Sequence, residues 1–252
     1  IVQKLDYLKG LGITVIYLNP IFKAYSNHRY DTGDYMQIDP LLGNDADFDN
    51  FITECERRGI AVILDGVFNH TGDDSRYFNK YGNYDELGAY QSKDSKYYAW
   101  YNFKHFPDKY ESWWGIDVLP SVNESCDSYA NFITGTDGVI DHWIRRGVNG
   151  FRLDVADELP DEFIEKIRNA AHAARADALI IGEVWEDASN KIAYSKRRKY
   201  LQGKELDSVM NYPLKDAIIK FLKSENTEVL REANAQLRDN YPKCVLDSLM
   251  NI

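Results

Sequence analysis

The chain has 252 residues, which suits one (β/α)8 barrel of about 250 residues and exceeds a single small α/β domain. Thirty Lys and Arg against 40 Asp and Glu give a net charge of −10, which argues against nucleic acid or an anionic membrane as partner. Hydrophobic residues reach 44%, enough for a real core, yet no run approaches the roughly 20 apolar residues of a membrane span.

In chain order, Ile13-Thr-Val-Ile-Tyr-Leu18 predicts a buried strand ending at Asn19-Pro20. Phe48, Phe51, Ile52 and Cys55 recur at helical spacing and predict an amphipathic helix. Ile60-Ala-Val-Ile-Leu64 is the next strand, ending at Asp65. From Thr71 to about Ser125 no period holds, and the segment is rich in Tyr, Asp, Asn, Lys and Gly, with Trp100, Trp113 and Trp114. So long an irregular stretch between core elements reads as a functional insertion. Val139, Ile140, Trp143 and Ile144 mark a helix, then Gly150-Phe-Arg-Leu-Asp154 a strand. Phe163, Ile167, Ala170 and Ala174 mark a further helix, then Ala178-Leu-Ile-Ile181 a strand. Ser208-Val-Met210 and Val245 to Met250 are weaker strand candidates. Gly12, Gly59 and Gly147 each sit between a helical pattern and a strand, where positive φ ends a helix. Repeated helix–strand units predict a parallel α/β sheet, and the length favours a TIM (β/α)8 barrel.

Polar residues gather where the strands end. Asp65, Asn69 and His70 follow one strand, Arg152 and Asp154 end another, and Glu183 and Trp185 end a third. Strands alternate faces with period two, so Arg152 and Asp154 point the same way. The Arg152 guanidinium is expected to keep Asp154 ionised, as a nucleophile needs. Glu183 follows the apolar Leu179-Ile-Ile-Gly182, a setting expected to raise its pKa and keep a proton for a leaving oxygen. Two carboxylates in divergent environments are what retaining glycoside hydrolysis requires. A structural ion pair plus a capping glutamate fits the same spacing. The three cysteines, Cys55, Cys126 and Cys244, are far apart and read as reduced thiols, with no CxxC or metal-ligand spacing.

Five segments add a family resemblance. Asp65-Gly-Val-Phe-Asn-His70, Gly150-Phe-Arg-Leu-Asp-Val-Ala156, Gly182-Glu-Val-Trp185, Leu119-Pro-Ser-Val-Asn123 and His28-Arg-Tyr-Asp-Thr32 resemble signatures of the α-amylase family of glycoside hydrolases, in family order. The resemblance implies Asp154 as nucleophile, Glu183 as general acid/base and Arg152 as the residue positioning the nucleophile. It implies that His70 and Tyr30 hold the sugar in the cleaved subsite and that Trp185 lines the acceptor side. Asp65, Asp31 and Asn69 read as structural hydrogen-bond partners. Asn69 matches a calcium ligand of many members, but no companion ligand set is present, so neither metal nor cofactor is expected. Val155-Ala-Asp-Glu158, Glu183-Val-Trp-Glu-Asp-Ala188 and Val209-Met-Asn-Tyr-Pro213 are most similar to cyclomaltodextrinases, neopullulanases and maltogenic amylases. Asp157 stands where that subgroup usually has Asn, and Leu-Pro-Ser-Val-Asn replaces its Met-Pro-Lys-Leu-Asn. Glu158 matches an acceptor-subsite residue that helps set linkage preference.

By the same resemblance, Ile1 to Leu11 is similar to the first helix of the barrel and Leu246 to Ile252 to its seventh strand. The expectation is therefore an incomplete barrel, about strands two to seven, with an inserted domain B (71–125) after the third strand. The family's third catalytic Asp falls outside these residues, so the isolated chain is expected to be weak or inactive. The implied substrate is an α-1,4-linked glucan such as a maltooligosaccharide, cyclodextrin or pullulan. Alternatives are an α-1,6-glucosidase or transglycosylase of the same family, and a non-catalytic amylase-fold glucan-binding or transporter-associated protein. A homodimer and a cytoplasmic location are further expectations.

Overall fold

The computed structural model describes all 252 residues. Five parallel strands form the central sheet: β1 (Val15–Leu18), β2 (Ala61–Gly66), β3 (Gly150–Leu153), β4 (Leu179–Gly182) and β5 (Ser208–Val209), neighbours in that order. Sequence order and spatial order coincide, as right-handed helix crossovers produce. The register sets Asp65 beside Arg152, and Arg152 beside Ile181. Polar side chains therefore meet at one end of the sheet because their strands are in step.

The central strands are buried on both faces, as their near-continuous apolar runs require. The sheet's first edge is not: Val15 is 44% exposed. The predicted strand Val245 to Met250 does not form. Lys243–Leu246 is a helical turn entered through Pro242, and only Met250 pairs, in parallel with Met210. Proline fixes an N-terminal helical entry, so the strand shrinks to one bridge.

The helix predictions largely hold. Helix α1 (Asp45–Glu56) buries Phe48, Phe51, Ile52 and Cys55, and Asn44 and Asp47 close its start in a reciprocal capping box. Helix α2 (Asp161–Ala174) turns Phe163, Ile164, Ile167 and Ala171 inward, leaving Ala170 and Ala174 only partly covered. That stripe is one position off the predicted one at its C-terminal half. Gly150 (φ 156°) is required by close packing: a Cβ there would meet the Leu179 carbonyl oxygen at 2.0 Å. No helix is long and apolar enough to cross a membrane. All three cysteines are free thiols, Cys55 buried and Cys244 exposed.

Segment 71–125 contains only short pieces, chiefly the hairpin Phe103–His105 with Lys109–Tyr110. Its ends meet, because His70 and Ser121 form an antiparallel bridge. Its buried aromatics join the main core rather than making one of their own. Trp100 packs 5.1 Å from both Tyr129 and Phe132, and its indole N–H donates to Ser128 Oγ at 2.9 Å.

Candidate active site

A cleft of about 1020 Å³ opens at the C-terminal end of the sheet, between the strand ends and segment 71–125. Tyr30, His70, Arg152, Asp154, Glu183 and Trp185 all line it. Glu158, the remaining predicted site residue, does not.

Arg152 is the hub. It leaves β3 into the space between neighbouring strands, 4% exposed. Its Nη1 donates to Asp65 Oδ1 and Asp154 Oδ1, each at 2.8 Å, and its Nη2 pairs with Glu183 Oε1 at 2.8 Å. One guanidinium thus serves three buried carboxylates, an excess of negative charge that cannot all be retained cheaply away from water.

That imbalance reverses the expected pKa pattern. Burial and the Asp65 charge push Asp154 up to about 7, against the pull of Arg152. Burial also acts on Glu183, but Arg152, the Val155 N–H and the Tyr212 hydroxyl outweigh it and hold its carboxyl below the usual range. Glu183 Oε2 accepts from Val155 N at 2.9 Å and Oε1 accepts from Tyr212 OH at 2.8 Å. Asp65 is pushed up by burial as well, so the Asp65 and Asp154 carboxyls are raised while Glu183 is held down. The apolar run before Glu183 did not decide its state; the cation from the next strand did. Val155 pays for this geometry with φ 41°, a left-handed backbone unusual for a β-branched residue.

The surrounding polar residues are mostly structural. Asp65 accepts from the hydroxyls of Tyr17 and Tyr30, the latter at 3.0 Å. Asp31 accepts from Ser26 N at 2.9 Å. Asn69 Nδ2 donates to the Asp154 carbonyl at 3.2 Å, and its Oδ1 faces His70 Nδ1. Burial lowers the pKa of His70 to about 4, against the pull of the Tyr30 carbonyl. Its Nε2 lies 3.0 Å from the Tyr30 carbonyl, and the ring packs 5.6 Å from Trp113.

Three contributors were missed from sequence. Tyr212 lies inside the quoted Val209–Pro213 motif, which was the available signal. Tyr17 sits in β1, whose apolar pattern gave no sign of a hydroxyl reaching Asp65. Trp113 lines the cleft from a segment with no period to read.

The family profile "Alpha amylase, catalytic domain" matches residues 1–244. An amylopullulanase of Thermoanaerobacterium thermosulfurigenes is 45% identical over 239 residues, which cover 87% of this chain and 12% of that protein. A cyclomaltodextrinase of Geobacillus thermopakistaniensis is 35% identical over 261 residues, covering 100% of this chain and 41% of that protein. Among solved structures, the cyclic α-maltosyl-(1→6)-maltose hydrolase of Arthrobacter globiformis superposes with a TM-score of 0.86 at 30% identity, covering 100% of this chain and 54% of that one. The chain thus spans about half, or less, of the length of the relatives it matches.

Proposed function

Because the chain belongs to the α-amylase catalytic-domain family of glycoside hydrolases, we propose that it carries the nucleophile and the acid/base of a retaining α-glucan hydrolase. Asp154 attacks the anomeric carbon, and Glu183 protonates the leaving oxygen and later activates water. Arg152 positions both. Tyr30 and His70 wall the cleaved sugar, and Trp185 lines the acceptor side. No metal or cofactor takes part. The observation that carries the reading is the single guanidinium touching both carboxylates at 2.8 Å inside a cleft large enough for several sugar rings. Such bridging is compatible with the short separation of about 5–5.5 Å used by retaining enzymes.

The resting state suggests what substrate must do. Glu183 has both oxygens engaged and is held ionised, so it cannot yet donate a proton. A sugar entering the cleft excludes water and puts a partial positive charge beside Asp154 in the transition state, which favours the aspartate anion. The proton then belongs on Glu183. One proton shared by the pair serves both states.

The proposed bond is α-1,4 in starch-derived oligosaccharides, cyclodextrins or pullulan. A second reading, α-1,6 cleavage, is favoured by the similarity to an amylopullulanase and to a hydrolase named for a (1→6) linkage. We read segment 71–125 as domain B of an incomplete barrel, on the support of its closed ends at His70 and Ser121. Residues 1–252 alone are proposed to turn over glucan weakly, since β1 leaves an open edge and β5 is bordered by one bridge. Self-association as a homodimer would cover the exposed Val15 edge, and three unpaired thiols fit a reducing cytoplasm.

The test is Asp154→Asn and Glu183→Gln in the full-length protein, with maltooligosaccharide, pullulan and isomaltose as substrates. Asp154→Asn should lose on the order of 10⁴-fold in kcat and Glu183→Gln about 10²–10⁴-fold. Proton NMR of the first product should find the α anomer; a β anomer would refute retention.

A further inference from the structure

Four groups act on the Glu183 carboxyl, and they are not equivalent. The Val155 N–H donates to its Oε2 at 2.9 Å, and the Arg152 guanidinium pairs with its Oε1 at 2.8 Å. The Trp185 indole N–H also favours its anion. An amide, a guanidinium and an indole can only donate. They satisfy a carboxylate, but a carboxylic acid also has an O–H, which needs an acceptor. The fourth group is the Tyr212 hydroxyl, 2.8 Å from Oε1. A hydroxyl both donates and accepts, so it alone can serve the two forms of Glu183.

Several contacts fix where Tyr212 stands. Strand β5 ends at Val209, and Tyr212 N donates back to the Met210 carbonyl at 3.0 Å across Asn211 (φ −85°, ψ 61°). This is an inverse γ-turn, a common way for a chain to leave a strand. Asn211 then caps helix α3 (Tyr212–Ser224). Its side chain accepts from Leu214 N at 3.2 Å, while its Nδ2 donates to Asn251 Oδ1 at 2.9 Å. Tyr212 packs against a small apolar cluster of Ile63, Ile181 and Met210, and Lys215 Nζ lies 4.3 Å from its ring centroid. The sulfur of Met210, in the same turn, accepts from Arg152 Nε at 3.4 Å. One turn thus reaches both Glu183 and the cation beside it.

We propose that Tyr212 is the positioning residue of the acid/base: its hydroxyl donates to the Glu183 carboxylate and turns to accept from the Glu183 carboxylic acid, so that Glu183 keeps a partner in both states. No bond to Tyr212 is made or broken. Burial and the hydrogen bond to Glu183 push its hydroxyl up to about 12, so it keeps its own proton and only the direction of the hydrogen bond reverses. In the first half of the reaction the Glu183 proton goes to the leaving oxygen. The hydroxyl then donates to the nascent carboxylate, which makes Glu183 the stronger acid. In the second half the carboxylate takes a proton from the attacking water, and the hydroxyl turns again. This inference rests on the α-glucan hydrolase reading and adds to it a residue that acts only through Glu183.

The test uses the full-length protein, the variant Tyr212→Phe and two substrates. One is maltotriose; the other is a nitrophenyl α-maltoside, whose leaving group departs without needing a proton. Phenylalanine keeps a ring against Ile63, Ile181 and Met210. The variant should lose about tenfold in kcat/KM on maltotriose, through kcat, and stay within about twofold on the nitrophenyl maltoside. The acidic limb of its kcat/KM profile on maltotriose should move up by about half a pH unit or more, because the Glu183 anion has lost a donor. A purely structural tyrosine would leave that limb in place. On maltotriose, Glu183→Gln combined with Tyr212→Phe should be no slower than Glu183→Gln alone, since the hydroxyl works through that carboxyl. An unmoved limb, equal losses on both substrates, no loss on maltotriose or an additive double variant would overturn the assignment. Failure of the underlying hydrolase reading shows separately, as undiminished turnover of the nitrophenyl maltoside by Asp154→Asn.

Discussion

The two walls of the cleft are built in opposite ways. At the strand ends, register does the placing: Asp65 lies beside Arg152 in the sheet, and a hydrogen-bonded ladder fixes where each charge sits. In segment 71–125 the backbone has almost no ladder, and side chains hold it. Asn79, fully buried with φ 50°, donates from its Nδ2 to the carbonyls of Tyr84 and Glu86 at 2.9 and 3.0 Å. Tyr77 and Trp100 then tie the segment to the sheet's own core through Phe132. Regular structure presents buried charge; the irregular wall presents aromatic surface. Charge needs an over-determined frame because misplacement leaves it unpaired, whereas stacking tolerates small shifts.

The comparison can be broken at either wall. The largest effect is expected at the hub. Arg152→Met strands three carboxylates without a cation and should destabilise the full-length protein by about 3–5 kcal/mol, read by urea unfolding. A near-neutral result would mean that the carboxylates simply take up protons, and that the ladder alone holds the strand ends. In the other wall, Trp100→Ala should cost about 3 kcal/mol and lower the midpoint of the whole catalytic domain. A separate early transition for segment 71–125, followed by tryptophan fluorescence, would contradict the shared core.

The smallest effect is the most diagnostic of charge crowding. Asp154 is held above its ordinary value of 3.8, up to about 7, so the folded chain binds its proton more tightly than the unfolded chain. That contribution is fully present below about pH 4 and is lost as pH rises through about 7. Glu183, held below its ordinary 4.5, contributes in the opposite sense, with stability present above that pH and lost as pH falls through its lowered value. Asp154→Asn should reduce the decline between pH 4 and 7, leaving the share due to Asp74 and Glu205, and make the protein more stable at pH 7, on the order of 1–2 kcal/mol, while inactivating it. A variant less stable than the parent at pH 7 would show that the Arg152 pairing outweighs the crowding.

Much of this was legible in advance. The apolar runs at Ile13, Ile60, Gly150 and Ala178 mark the four longer core strands, and the residues after them supply the cleft's charges. Tyr212 was within reach of a quoted motif. The run at Val245 misled because Pro242 starts a helical turn there, a local preference that the apolar pattern does not contain. Tyr17 and Trp113 carried no periodic signal for their roles.

The 252-residue length and the acidic balance first read as one barrel with a neutral ligand. Sequence by itself determined the alternation of helix and strand, the face shared by Arg152 and Asp154, and the family. These follow from local periodicity and short motifs, which neighbouring residues settle. Only the tertiary structure decided which carboxyls are pushed up and which is held down, which hydroxyl engages Glu183, and that Glu158 joins two distant aromatic side chains. Each of these depends on groups brought together from far along the chain, and on the loss of water that their meeting imposes.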